Sequence, residues 1–119
     1  AALKFLNEIG IESISAHEQN LLEYATEKCS KIEGFRVIGN AKNKASVLSF
    51  VVDGIHSYDL GVLLDQQGIA VRTGQHCTQP IMDAFCIQGT VRASFAMYNT
   101  FDEIDSFMSA LSRAVTMLR

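Results

Sequence analysis

The segment AVRTGQHCTQP, residues 70–80, gathers the side chains of this sequence that could do chemistry. A cysteine becomes nucleophilic when nearby positive charge or a helix N-terminus favours its thiolate. We expect Cys77 in a loop that follows a strand at residues 69–72, where Arg72, His76 and a helix beginning near Pro80 would give it such a setting. A lone cysteine is nevertheless more often a half-buried apolar side chain, so the segment leaves both interpretations open. In an extended segment His76 points away from Cys77, which argues against a simple Cys/His dyad.

Two arginines stand in a region whose other residues are mostly apolar or small. Between residues 69 and 98 the only charged side chains are Arg72, Asp83 and Arg92. A guanidinium held in low dielectric without a partner is costly, so each arginine requires an anion. That anion is either an acidic residue of the chain, in a structural ion pair, or the carboxylate of a small substrate, which a guanidinium binds bidentately.

Length and composition restrict the class of protein. The chain has 119 residues, 48% of them hydrophobic and 19% charged, which is typical of one folded domain with a single core. A net charge of -3 without a basic cluster argues against nucleic acid as a partner. No apolar run is long enough to span a membrane and no signal-peptide pattern occurs. We therefore expect a cytoplasmic protein without a membrane partner.

The other cysteines and histidines are expected to be structural. The three cysteines are odd in number and no pair has C-x-x-C spacing, which predicts neither a disulfide framework nor a metal site. Cys29 and Cys86 occupy positions consistent with helix faces, and we expect both in the core. His17 and His56 are expected at the surface or at the start of a helix.

Hydrophobic periodicity predicts the elements that position these residues. The opening AALKFLNEIGI is typical of the end of a helix, and Ser15 with Glu18 has the spacing of a capping box that opens a helix over about 15–33. Strands are predicted at 35–39, 45–54, 69–72 and 89–98. Further helices are predicted from Ser57 to near Gly68, from Pro80 through Phe85, and from Thr100, in a capping box with Glu103, to the end of the chain. This order predicts an α+β fold with a mixed or antiparallel sheet packed against helices.

Three strings resemble the C-terminal part of a known enzyme family. They are GIHSYDLGVLLDQQGIAVRTG (54–74), GIAVRTGQHCTQPIMDAF (68–85) and GTVRASFAMYNTFDEID (89–105). The sequence is similar there to the group II cysteine desulfurases, the SUF-type and selenocysteine-lyase-like branch of the class V aminotransferase family. The resemblance implies the small C-terminal α+β domain of a pyridoxal-phosphate (PLP) enzyme of fold type I that forms a homodimer.

The resemblance also implies roles for individual residues. Cys77 matches the nucleophile that becomes a persulfide, Arg92 matches the arginine that holds the substrate carboxylate, and Arg72 matches an arginine lining the same pocket. His76 and Gln75 are further candidates for lining the site. The implied reaction takes sulfur from L-cysteine, or selenium from L-selenocysteine, and releases alanine. The implied recipient is a sulfur-acceptor protein of the SUF or CSD type, in iron–sulfur cluster assembly.

One departure from the family concerns the cofactor. Only 76 residues precede Cys77, too few to include the family's PLP lysine, so we expect no cofactor-binding residue and no activity from this chain alone. Residues 1–12 are expected to end a connecting helix from a large PLP domain, and residues 13–119 to form the small domain. The alternative is a stand-alone sulfur-carrier or protein-interaction module that uses Cys77 without PLP, although a chain that opens within a helix argues against it.

Overall fold

The computed structural model describes every residue of the chain, 1–119. Its elements follow one another as α1 (Ala2–Ile9), α2 (Ile11–Cys29), β1 (Phe35–Val37), β2 (Val47–Val52), α3 (Ser57–Asp65), β3 (Arg72–Gly74), α4 (Gln79–Ala84), β4 (Thr90–Ser94) and α5 (Phe101–Leu118). The four strands form one antiparallel sheet in the order β1-β2-β4-β3. The α+β prediction, with an antiparallel sheet packed against helices, is confirmed.

The core lies between one face of the sheet and three helices. Side chains alternate between the two faces of a strand, and along β2 Leu48, Phe50 and Val52 are buried while the residues between them are half-buried. Helices α2, α3 and α5 cover the buried face. The buried side chains of the core are Leu21, Leu22, Ala25, Cys29, Leu48, Phe50, Val52, Leu60, Leu64, Val91, Ala93, Ile104, Phe107, Ala110, Leu111, Ala114 and Val115.

The opposite face of the sheet collects polar and charged residues from three neighbouring strands. Ser49 of β2 is directly opposite Arg92 of β4, and Arg92 is directly opposite Arg72 of β3. Gly74 is directly opposite Thr90 in the same pair of strands. Residues directly opposite each other project from the same face, so the fold places these side chains on the face turned away from the core.

Helix α5 begins as the sequence predicts. The Thr100 hydroxyl accepts a hydrogen bond from the Glu103 amide at 3.2 Å, and the Glu103 carboxylate accepts one from the Thr100 amide at 2.9 Å. This reciprocal capping box satisfies two backbone donors at the helix N-terminus. Hydrogen bonds from Asn99 and Thr100 also lower the pKa of Glu103. None of the helices combines the length and the apolar character needed to cross a membrane.

The predicted start of the long helix at Ser15 is wrong. Helix α2 begins at Ile11, after Gly10, whose φ of 99° interrupts the helical path and separates α2 from α1. Ser15 lies inside the continuous helix, so it does not form the expected capping box with Glu18. The helix also ends at Cys29, before the predicted end at residue 33.

The strands predicted at 35–39 and 45–54 are shorter in the structure, as β1 and β2, and the other two strand predictions differ more. Of the predicted strand 69–72 only Arg72 is in β3, which runs on to Gly74. Residues 69–71 separate from β4 because the Ile69 amide still donates to Leu64 at the end of α3, and a cavity of about 300 Å³ opens between this segment and β4. The strand predicted at 89–98 ends at Ser94, beyond which Asn99 folds back to accept a hydrogen bond from the Ala96 amide at 2.8 Å.

Candidate functional site

Two arginines that are twenty residues apart in the sequence become neighbours on the open face of the sheet. The antiparallel register of β3 and β4 sets Arg72 directly opposite Arg92. Arg92 is half-buried in an inner strand, whereas Arg72 lies in an edge strand and is exposed. Like charges directly opposite each other destabilise a sheet, so this pair favours the arrival of an anion.

No acidic residue of the chain provides that anion. The ion pairs of the structure join Lys4 to Glu8, Lys28 to Asp105, Lys31 to Glu27, Arg36 to Asp53 and Arg119 to Glu33. Neither Arg72 nor Arg92 takes part in one. Of the two interpretations of these arginines, the structural ion pair is therefore excluded, and both guanidinium groups remain available to a bound carboxylate.

Cys77 is exposed in a tight turn between β3 and α4. His76 and Cys77 both have left-handed backbones, with φ of 56° and 59°. The Gln75 carbonyl accepts a hydrogen bond from the Thr78 amide at 2.9 Å and another from the Thr78 hydroxyl at 2.6 Å. Two consecutive left-handed residues closed by this backbone bond make a type I′ turn. The expected loop position of Cys77 is correct, although the loop follows residues 72–74 rather than 69–72.

His76 connects the turn to the arginine pair. Its Nε2 lies 2.7 Å from the hydroxyl of Thr90, which projects from the same face of β4 as Arg92. Burial lowers the pKa of His76, and the positive charges of Arg92 and Arg72 lower it further. The imidazole is therefore neutral at pH 7. The segment is a turn rather than an extended strand, so the expectation that His76 simply faces away from Cys77 does not apply.

The other predicted residues divide between core and surface. Cys29 is fully buried, as expected, and burial raises the pKa of its thiol to about 12. The expected burial of Cys86 is wrong. It follows the end of the short helix α4, where a left-handed backbone with φ of 54° leaves it exposed. Gln75 is exposed and contributes its carbonyl to the turn, but no side-chain hydrogen bond.

The histidines outside the motif have structural contacts. His56 precedes α3 and its side chain accepts a hydrogen bond from the Tyr58 amide at 3.2 Å. His17 is half-buried on α2, and its Nε2 lies 2.9 Å from the Asn99 carbonyl. Neither histidine hydrogen-bonds to a residue of the Cys77 turn or to either arginine. The predicted helix-start position is correct for His56.

Sequence reasoning missed two residues, at the start of β4 and just before it, that contact the turn containing Cys77. Thr90 is only 1% exposed, and its hydroxyl holds His76. A Cβ added at Gly89 would lie 3.0 Å from the carbonyl oxygen of Gly74, so β4 and the start of the turn approach as closely as backbones can. Strand alternation predicts that Thr90 shares a face with Arg92, but only the strand pairing shows that this face meets the Cys77 turn.

Comparison with known sequences finds relatives that are described as cysteine desulfurases. The profile of the family described as aminotransferase class V matches residues 1–107. A probable cysteine desulfurase of Xylella fastidiosa is 45% identical over 118 residues, which are 99% of this chain and 28% of that protein. A cysteine desulfurase of Synechococcus elongatus is 47% identical over 116 residues, 98% of this chain and 18% of that protein. The chain thus spans less than a third of the length of these relatives.

Two solved structures with the same fold are also described as cysteine desulfurases. A cysteine desulfurase from Escherichia coli, crystallised in an S-sulfonic acid form, superposes with a TM-score of 0.92 at 36% identity, over 99% of this chain and 29% of that one. The apo structure of a cysteine desulfurase from Thermococcus onnurineus NA1 gives a TM-score of 0.90 at 34% identity, over 96% and 29% of the respective chains.

Proposed function

Because the chain belongs to the aminotransferase class-V family, we propose that it forms the part of a PLP-dependent cysteine desulfurase that holds the substrate carboxylate and accepts the sulfur. The observation that carries this proposal is the opposed pair Arg72 and Arg92, unpaired with any acid, on the sheet face next to the turn that exposes Cys77. A carboxylate clamp and an exposed thiol are the two groups that sulfur abstraction from an amino acid requires of this region.

The arginines have distinct roles in the proposal. Arg92 is half-buried and restrained by strands on both sides, so its guanidinium is suited to bidentate binding of the substrate carboxylate. Arg72 is exposed in an edge strand and adds a second positive charge to the same face of the sheet. His76, which is neutral beside them, leaves the positive charge of the site to the arginines.

Cys77 is the proposed sulfur acceptor. Its thiolate forms a sulfur–sulfur bond with the sulfur of L-cysteine while the carbon–sulfur bond of the substrate breaks. The carbon keeps the electron pair and takes up a proton, which gives alanine, and Cys77 is left as a persulfide. Each cycle therefore converts the Cys77 thiolate into a persulfide, which must be discharged before the next turnover.

The lysines of this chain are not placed to bind PLP. Four of the five lysines have partners within the chain: Lys4, Lys28 and Lys31 pair with acidic side chains, and the half-buried Lys44 donates to the Gly39 carbonyl at 3.0 Å. Lys42 is exposed in a loop. The proposal therefore assigns the cofactor to residues outside this chain, in a large PLP domain for which residues 1–12 form the end of a connecting helix. The exposure of Leu3 and Phe5 on α1 supports that assignment.

The exposed position of Cys77 supports delivery of sulfur to a second protein. We propose a sulfur-acceptor protein of the SUF or CSD type, acting in iron–sulfur cluster assembly in the cytoplasm, with the full-length enzyme a homodimer. L-Selenocysteine is a second proposed substrate, since the same carboxylate clamp and thiol would serve it.

The proposal is tested by intact-protein mass spectrometry of the full-length protein that contains this chain. After incubation with L-cysteine, an added sulfur atom that maps to Cys77 and appears together with alanine supports it. Alanine release without a sulfur adduct at Cys77, or no alanine at all from PLP-loaded protein, contradicts it.

A further inference from the structure

The turn that presents Cys77 has an unfavourable backbone. Both central positions of a type I′ turn require positive φ, for which Asn and Gly are preferred. Here they are His76 and Cys77, with φ of 56° and 59°. Left-handed backbones of such residues persist only where the surrounding structure holds them in place. Contacts outside the turn must therefore fix it.

The side chain of His76 provides the main contact of this kind. The buried hydroxyl of Thr90 has one hydrogen-bond partner, His76 Nε2, at 2.7 Å. Whichever of the two atoms donates, this short hydrogen bond fixes the orientation of the ring. The other ring nitrogen, Nδ1, is buried and has no partner. The contact thus fixes the ring but leaves one polar ring atom unsatisfied.

A second contact fixes the start of the turn. Gly74 pairs with Thr90 in the register of β3 and β4, and its carbonyl lies against Gly89 so closely that a Cβ there would be 3.0 Å away. The turn is therefore attached to β4 at its base by Gly74 and at its centre by His76. Both attachments are to the strand that carries Arg92.

Left-handed residues and a buried ring nitrogen without a partner both destabilise the fold. Stability alone therefore does not explain why His76 is attached to Thr90 in this way. We propose that His76 is a positioning residue for Cys77: anchored to Thr90, it holds the turn in the one conformation that presents the thiol beside the Arg92 strand. The inference rests on the proposed function only in taking Cys77 as the sulfur acceptor.

The test compares two substitutions at Thr90 in the full-length protein. Thr90→Val keeps the shape of the side chain and removes the hydroxyl, whereas Thr90→Ser keeps the hydroxyl. The first readout is hydrogen exchange at the Thr78 amide, which donates to Gln75 across the turn. The second readout is the rate of persulfide formation in a single turnover, with the KM for cysteine measured alongside.

We expect Thr90→Val to speed exchange at Thr78 at least tenfold and to slow persulfide formation at least tenfold, with the KM changed less than twofold. Thr90→Ser should stay within twofold of wild type in all three. His76→Asn, which accepts a left-handed backbone but lacks the ring, should behave as Thr90→Val does. If exchange at Thr78 is the same in Thr90→Val and wild type, or if Thr90→Ser is as impaired as Thr90→Val, the inference is wrong. Faster exchange together with no persulfide even in wild type would instead contradict the proposed function.

Discussion

Arg72 and Arg92 lie directly opposite each other across β3 and β4, and neither forms an ion pair with an acidic side chain. Two like charges at directly opposite positions lower the stability of a sheet. A carboxylate bound between them would remove that repulsion. The arginine pair is therefore better explained by ligand binding than by a contribution to folding. Measurement of the KM and of the free energy of unfolding separates these two roles.

Replacing Arg92 should impair substrate binding without destabilising the fold. Loss of a charge-assisted hydrogen bond corresponds to about 1.5 to 3 kcal/mol, so Arg92→Ala in the full-length enzyme should raise the KM for cysteine roughly 10- to 150-fold. Arg92→Lys should raise the KM nearly as much as Arg92→Ala does, because an ammonium cannot form the bidentate contact. The free energy of unfolding should stay equal or rise, since the repulsion with Arg72 is lost.

Arg36→Ala is the matched control for this experiment. Arg36 lies on the same sheet but pairs with Asp53 at 3.6 Å, at an exposed site where such a pair contributes little. Its replacement should leave the KM unchanged. Equal kinetics for wild type and Arg92→Ala would remove Arg92 from the site.

The three cysteines should respond differently to replacement by serine. Cys77→Ser should abolish the sulfur adduct and the release of alanine at almost no cost in stability, because the side chain is exposed. Cys86→Ser should retain both the adduct and the stability, since Cys86 is exposed too. Cys29→Ser should retain the adduct but lower stability by about 1 to 3 kcal/mol, since it buries a hydroxyl. A sulfur adduct that persists in Cys77→Ser, read by mass spectrometry, would overturn the assignment.

Cys29 should make folding sensitive to alkaline pH. Burial raises the pKa of its thiol from 9.0 to about 12, so the unfolded chain releases this proton at lower pH than the folded chain does. The contribution of Cys29 to stability is complete below pH 9 and decreases as pH rises from 9 towards 12. Urea unfolding at pH 8 and at pH 10 gives the free energy of unfolding at each pH. From pH 8 to pH 10 this free energy should fall less for Cys29→Ala than for wild type. The same loss in both proteins would contradict the prediction.

The protonation of His76 should report on the arginine pair. Burial, Arg92 and Arg72 all lower its pKa, so its NMR titration in the folded protein should fall below 6.5. Because the folded-state pKa is depressed, the contribution of His76 to stability is present above pH 6.5 and is lost as pH falls through the folded pKa. Arg92→Ala should move the titration upwards. An unchanged titration in that variant would show that the two side chains do not interact.

Gly89 should tolerate no side chain. In Gly89→Ala the new Cβ would lie 3.0 Å from backbone atoms of Gly74, and overpacking of this kind costs about 1 to 3 kcal/mol. Gly61→Ala is a useful comparison, because its Cβ would meet the Thr73 methyl at 2.5 Å. Thr73→Ser removes that methyl and should recover stability in Gly61→Ala, but should recover none in Gly89→Ala. Thermal unfolding of the single and double variants measures both effects.

The sequence by itself determined the elements whose signals are local. The capping box of Thr100 and Glu103, the buried face of α5 and the alternating strand at residues 47–52 depend on neighbouring residues and on the periodicity of helix and strand. The predicted strand and the glycine before Cys77 placed this residue in a loop, and resemblance of the RTGQHC string to a family gave Cys77 its proposed role as the nucleophile. The order of helices and strands, and hence the α+β class, followed from the same information.

Only the tertiary structure decided which of these residues meet. The register of β3 against β4 depends on strand pairing between residues distant in sequence, and it sets Arg72 opposite Arg92 and brings Thr90 beneath His76. The exposure of Cys86 depends on the short α4 ending in a left-handed residue. The sequence thus supplied the reactive groups, whereas their geometry came from backbone pairing, which a one-dimensional pattern does not encode.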